Sequence, residues 1–282
     1  MAIRITSDST CDLGKFAEER NIGIMRIQVN LDGKAYSDGL DITPEDIFKF
    51  VSEKKMLPKT SAINIATATD FFAKYVAEGY SIVCFTISAE MSSTFSNIRL
   101  AASEFDNVYV VDTRNLSTGG GLLVLTAAQM VQEGKSAYEI AKACEELAPC
   151  VDASFVIDSL EFLHKGGRCS ALAAFGANVL GLKPCILVKD GKMGVGKKYR
   201  GKFDKVLLQY IEERIGDGSD ICLDKVFVTH AGCDEAIVNA CVEKVKSLAP
   251  FEELMITRAG CTVSSHCGQN TLGVLFIRKH SI

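Results

Sequence analysis

No two of the chain's eleven cysteines are spaced Cys-x-x-Cys. This argues against a zinc ribbon or a thioredoxin-like redox centre. Most of them, Cys84 and Cys185 among them, sit in apolar runs, and their number is odd. They read as small buried hydrophobes in a reducing compartment, not as a disulfide framework. Charge of one sign is not in excess either. With 31 basic against 35 acidic side chains the net charge is −4, so bulk charge points to no nucleic-acid partner. A membrane-spanning run is also missing. The longest uncharged stretches are 115–132, broken by Asn, Ser, Thr, Gln and three successive glycines, and 169–182, which is too short. No export signal opens the chain, because residues 1–10 already alternate as a strand. The expectation is a cytoplasmic protein without stable membrane insertion. There is no Gly-x-Ser-x-Gly elbow, and no His and carboxylate cluster at metal-ligand spacing. Neither an internal repeat nor a low-complexity linker is visible.

What remains is a globular composition, 48% hydrophobic and 23% charged over 282 residues, enough for about two domains. The first half alternates short apolar strands with amphipathic helices. The run Tyr80–Ser88 is apolar throughout, as suits a strand covered on both faces. The stretch from Thr43 carries a helix start: a capping threonine, Pro44, then Glu45 and Asp46 at the positive end. Helices between buried strands predict a parallel sheet, since parallel neighbours need crossovers. In the second half, strand candidates lie at 153–158, 183–192, 225–232, 251–258 and 271–279, with helices near 160–165, 171–181, 203–214 and 234–248. Asp190-Gly191 signals a tight hairpin. The predicted architecture is α/β: a three-layer parallel-sheet domain over 1–158, and a second α/β domain over 159–282 with a mixed or antiparallel sheet. A shared cleft is expected between them.

The chemistry-bearing residues cluster at predicted strand ends, where open α/β sheets bind ligands. Ser7, Asp8, Ser9 and Thr10 follow the first strand, and Ser88, Ser92, Ser93 and Thr94 follow the apolar run. Thr60 and Ser61 stand in a loop after Pro58. Hydroxyls and free amides at a helix start hold an anion without a metal, although a lone serine there is equally a helix cap. Ser117, Thr118 and Gly119–Gly121 open a helix, for close packing or for a ligand. Residues 191–198 imitate a phosphate loop, but Lys198 occupies the place of its magnesium-binding hydroxyl, so no nucleotide site is expected. Residues 183–205 are basic, including Lys198, Arg200 and Lys202. They read as a solvated hairpin or a docking patch for an acidic partner or a phosphorylated ligand. His266, in a polar loop bounded by glycine, is the first candidate for a working histidine, and His230 is the second. These residues alone describe a binder of a small anion-bearing ligand. They leave open an enzyme, a transferase or hydrolase using His266 and a cleft serine, and a regulatory binding protein.

Several motifs in order carry a family likeness: Ser7-Asp8-Ser9-Thr10, Asp38-Gly39, Pro58-Lys59-Thr60-Ser61, Ser92-Ser93-Thr94-Phe95, Leu163-His164-Lys165-Gly166-Gly167-Arg168, Gly181-Leu182-Lys183-Pro184, His230-Ala231-Gly232 and Ser265-His266-Cys267-Gly268. From end to end the chain resembles the DegV family, which includes the fatty-acid-binding subunits of bacterial fatty acid kinase. It departs from the family's usual pattern at Ala62–Asn64, Ser93, Phe95 and Gln269.

The resemblance implies a long-chain fatty acid held between the domains as the only ligand, with no cofactor and no metal. Its carboxylate would meet Thr60, Ser61, Ser92, Ser93 and His266. Arg168 would orient the head group or meet the partner, and Lys198, Arg200 and Lys202 would dock it. The partner is a separate kinase catalytic protein that makes the acyl-phosphate for phospholipid synthesis, so this chain performs no chemistry of its own. Leu172, Phe175, Val179 and Leu180 are candidate lining for the tail. Burying about 15 methylenes at about 0.8 kcal/mol each yields roughly 12 kcal/mol gross, much of it offset by association and ordering.

Overall fold

The computed structural model describes residues 2–169 and 181–281. The first half runs β1 (Ala2–Asp8), α1 (Lys15–Glu19), β2 (Gly23–Met25), β3 (Gln28–Leu31), β4 (Lys34–Ser37), α2 (Pro44–Lys54), β5 (Lys59–Ser61), α3 (Ile65–Ala77) and β6 (Tyr80–Thr86). It continues through α4 (Thr94–Ala102), β7 (Val108–Asp112), α5 (Ser117–Gln132) and α6 (Ala137–Leu147). The second half holds β8 (Val151–Ile157), α7 (Glu161–Gly166), β9 (Leu182–Lys189), β10 (Lys192–Arg200), α8 (Phe203–Ile215), β11 (Ile221–Ala231), α9 (Glu235–Leu248), β12 (Glu253–Arg258), α10 (Cys261–Cys267) and β13 (Thr271–Arg278).

Four parallel strands form the first sheet, in the order β2-β1-β6-β7. Along β6, Ile82 and Cys84 pack with α3 and α4, while Val83 and Phe85 pack towards α5 and α6. Alternate residues thus enter different apolar layers, which is why the strand reads as one unbroken apolar run. The second sheet is mixed, six strands in the order β10-β9-β8-β13-β11-β12, of which only β11 and β12 run parallel. Helices α8 and α9 cover one of its faces, through Leu207, Tyr210 and Cys241. Its other face, through Phe155, Ile186 and Phe227, shares a core with α5. Helix α5 therefore lies between the two sheets and is buried continuously from Ser117 to Leu125. Its glycines serve close packing: a Cβ on Gly121 would stand 2.8 Å from the Cys11 carbonyl oxygen.

The α/β architecture with a parallel and a mixed sheet matches the sequence expectation. By hydrogen bonding, however, the sheets part ahead of β8, earlier than a division at residue 158. A third, antiparallel sheet, β4-β3-β5, was not expected. Thr60 and Ser61 lie on its edge strand, paired with Val29 and Gln28, and not in a loop. Three residues after a proline are too few to show a period. His266 is likewise not in a loop but on α10, whose residues Cys261–Ser265 are buried. Its polar look misleads because Ser264 and Ser265 turn their hydroxyls onto the carbonyls of Ala259 (3.1 Å) and Cys261 (2.7 Å). Residues 171–180 of the helix expected next to α7, with Leu172, Phe175, Val179 and Leu180, lie outside the described residues. Among the described residues no helix is long and apolar enough to cross a membrane.

The β9–β10 hairpin turns on Asp190 (φ 52°) and Gly191 (φ 77°), as its sequence requires. Its tip docks on the first lobe, where the Ser88 hydroxyl donates to the Gly191 carbonyl at 2.7 Å. A Cβ at Gly191 would sit 2.6 Å from that hydroxyl oxygen as well as in left-handed backbone. Gly191→Ala is expected to cost about 1–2 kcal/mol or more, read as a lower midpoint in urea unfolding. An unchanged midpoint would show that the tip is not held as described.

Candidate functional site

Between the lobes lies a cavity of about 280 Å³. Edge strand β5 brings Thr60 and Ser61 to it, the turn before α4 brings Ser92 and Ser93, the end of α7 brings Arg168, and α10 brings His266. Deeper in, Leu116, Phe155, Val263 and Cys267 line both this cavity and a second, almost wholly apolar space of about 40 Å³ that runs between α5 and the mixed sheet. Ser117, Ser154, Thr229 and Thr271 also border the continuation, but their hydroxyls are bonded to protein, so the surface it exposes is apolar.

His266 is the most constrained polar group. Its Nε2 lies 2.9 Å from the Thr60 hydroxyl. Nδ1 is buried without a partner among the described residues and faces Gly166, where a Cβ would come within 2.7 Å of it. A buried orphan N–H costs more than a buried lone pair. The proton is therefore assigned to Nε2, which donates to Thr60 Oγ1 and leaves the threonine hydroxyl hydrogen for a ligand. Burial first, and the Arg168 charge second, push the imidazole down to about 4, so it is neutral at pH 7. Arg168 itself is exposed at the rim, with Nη1 donating to the Gly166 carbonyl at 2.6 Å. Ser92 Oγ accepts from the Thr94 amide at 3.1 Å and so caps the helix start. Ser93 is exposed and makes no capping bond, which leaves its hydroxyl at the positive end of α4.

Three buried acids fix these elements from beneath. Asp12 Oδ1 accepts from the Gly260 amide (2.8 Å), and Asp38 accepts from the amides of Cys261 (2.7 Å) and Thr262 (3.1 Å). Carboxylates of the first lobe thus cap the first amides of α10, which carries His266 at its other end. Asp8 accepts from the Ile87 amide at 2.7 Å, just ahead of the serine turn. Burial raises the pKa of Asp8, and that of Asp12 well above the usual carboxylate value, with Asp38's charge adding to both.

Some expected residues lie elsewhere. Ser7, Asp8, Ser9 and Thr10 do not line the cavity; Ser9 donates to Asp38 at 3.0 Å and Thr10 folds onto Asp8 at 2.5 Å. Thr118 is buried in a hydroxyl chain with Thr229 (2.6 Å) and Thr257 (2.8 Å). His230 lines the apolar continuation, its pKa lowered by burial and then by Arg258. Lys198, Arg200 and Lys202 are exposed on β10 and at the start of α8, away from the cavity. Phe155, Met193 and Val263 were not foreseen, because an apolar tunnel wall has the same sequence signature as core. The anchoring roles of Asp12 and Asp38 were missed because nothing local announces a cap from another lobe.

The family model described as "Uncharacterised protein, DegV family" matches residues 2–279. A DegV domain-containing protein of Clostridium acetobutylicum is 34% identical over 99% of both chains. A DegV family protein from Thermus thermophilus, described as fatty acid binding, superposes with a TM-score of 0.89 at 29% identity, covering 99% of this chain and 100% of its own. A stearic-acid-binding protein from Eubacterium ventriosum superposes at 0.86 with 27% identity, covering 98% of each chain.

Asp38→Ala strands two amides of α10 and is expected to cost about 1–3 kcal/mol, measured by urea unfolding. Equal stability would remove the capping role. With its folded pKa near 4, against 6.5 ordinarily, His266 binds fewer protons folded than unfolded between those values. That contribution destabilises the protein as pH falls from about 6.5 to 4, whereas the raised Asp8 and Asp12 act in the opposite sense. Ligand-free His266→Gln should therefore lose less stability than the parent across that window. Parallel curves would contradict a buried neutral imidazole.

Proposed function

The chain belongs to the DegV family, and from that premise we propose that it is a carrier that holds a long-chain fatty acid between its lobes and presents the carboxylate to a separate kinase. The observation that carries this reading is a cavity with neutral hydroxyl donors at one end that adjoins, through Leu116, Phe155, Val263 and Cys267, a space whose exposed surface is almost wholly apolar. A carboxylate taken out of water needs donors or it protonates. Thr60, Ser61, Ser92 and Ser93 are the proposed donors, with His266 holding Thr60 in the donating orientation. Arg168, at the rim, adds a solvated positive charge that favours the anion. The tail follows Phe155, Leu116 and Val263 inward, where its burial drives retention.

In this reading the chain performs no chemistry. The kinase forms the acyl-phosphate on a carboxylate left near the surface, feeding phospholipid synthesis, and Lys198, Arg200 and Lys202 offer it a basic docking patch. The cytoplasm, where thiols stay reduced, suits a chain with eleven cysteines, most of them buried in its core. A transferase or hydrolase is not favoured, because His266 faces a threonine hydroxyl and, with its pKa near 4, is a weak base at neutral pH.

Protein purified from bacterial cells should release about one fatty acid per chain on solvent extraction, read by mass spectrometry; a cavity that stays empty or holds a polar molecule overturns the carrier. Ser93→Ala and His266→Ala should weaken retention roughly tenfold or more, the scale of one lost hydrogen bond to a charged group, with the circular dichroism unchanged. Glu at 198, 200 and 202 together should reduce kinase turnover more than lipid retention. Equal loss of both would remove the docking patch.

A further inference from the structure

On the far side of the α10 start lies a second cleft, of about 370 Å³, that shares no lining residue with the cavity above. Arg4 of β1, Arg26 after β2 and Arg258 at the end of β12 all face it. Arg258 is paired with Glu45. Arg4 and Arg26 make no ion pair among the described residues. Arg26 is fixed through Nη1 to the backbone carbonyl of Asp38 at 2.6 Å, not to a carboxylate. Arg4 lies with its guanidinium carbon 4.9 Å from the centre of the Tyr75 ring, and its Nε is buried without an acceptor among the described residues. A stranded guanidinium donor is costly unless something accepts from it.

Acidic groups also line the cleft, and their geometry decides what it attracts. Both oxygens of Asp12 are taken, by Ser117 (2.5 Å) and the Gly260 amide. Both oxygens of Asp38 are taken by Ser9 and the α10 amides. Glu18 is exposed. The carboxylates thus turn their oxygens onto protein donors, while two guanidinium groups keep unused ones. Neither Arg4 nor Arg26 has a carboxylate within ion-pair distance among the described residues, and two such forks facing one cleft suit a multi-oxygen, doubly charged anion that both can hold.

We propose that this cleft is a second ligand site, which takes a soluble phosphomonoester and grips its phosphoryl group between Arg4 and Arg26. Isothermal titration of the intact protein with inorganic phosphate at constant ionic strength, and with acetate in parallel, tests it. Saturable binding at millimolar phosphate is expected, with amide shifts at Gly39 and Gly260 in NMR spectra. Arg4→Gln and Arg26→Gln should each weaken it about tenfold or more, and Arg26→Lys, which keeps the charge but not the fork, by less. Fatty acid content should be the same in all variants. The absence of saturable binding, equal binding of acetate, unchanged affinity in both glutamine variants, or shifts confined to other regions would each overturn the proposal.

Discussion

The carboxylates of Asp12 and Asp38 hold the amide end of a seven-residue helix that belongs to the other lobe. A helix this short has almost no stability of its own, since its first four amides have no partner within it. Acceptors supplied from across the interface let it form and fix where it points. Burying two acids side by side opposes this, as the upward displacement of Asp12's pKa records, and the short bonds from Ser117 and Gly260 offset part of that cost. Because the caps come from one lobe and the helix from the other, the same bonds join the lobes and set the depth of His266.

With α10 fixed, the division of polarity in the cavity follows. His266 is too buried to ionise at neutral pH, so it serves as a fixed dipole on Thr60 and not as a countercharge. Neutral donors avoid the desolvation penalty that a buried cation would bring to an empty site. Arg168, the one arginine or lysine lining the cavity among the described residues, stays in water, where it costs little and still biases the rim towards anions. Helix α5 supplies the opposite quality. Packed between two sheets, it bonds the hydroxyls of Ser117 and Thr118 to protein partners, so the space beside it exposes almost wholly apolar surface.

Much of this was readable in the order of residues. Buried parallel strands such as Tyr80–Thr86 announce themselves by composition, the Asp190-Gly191 turn by its demand for positive φ, and the α2 start by Thr43, Pro44 and Asp46. Thr60, Ser61, Ser92, Ser93, Arg168 and His266 could be named as candidates because polar residues at strand and helix ends are conspicuous. Their convergence on one cavity could not be, since they come from four separate segments and the distances between segments are set by packing.

Local pattern determined the strands, most of the helices and the hydroxyl-rich edge, because periodicity and turn chemistry act over a few residues. Tertiary structure alone decided that His266 sits on a helix, that Thr60 belongs to an edge strand, that Asp8, Asp12 and Asp38 are anchors, and which apolar residues line a tunnel instead of filling a core. Those facts depend on bonds between residues well separated in the chain, from Thr60 with Val29 to Asp38 with Cys261. A side chain carries no mark of the partner it meets only after the chain has folded back on itself.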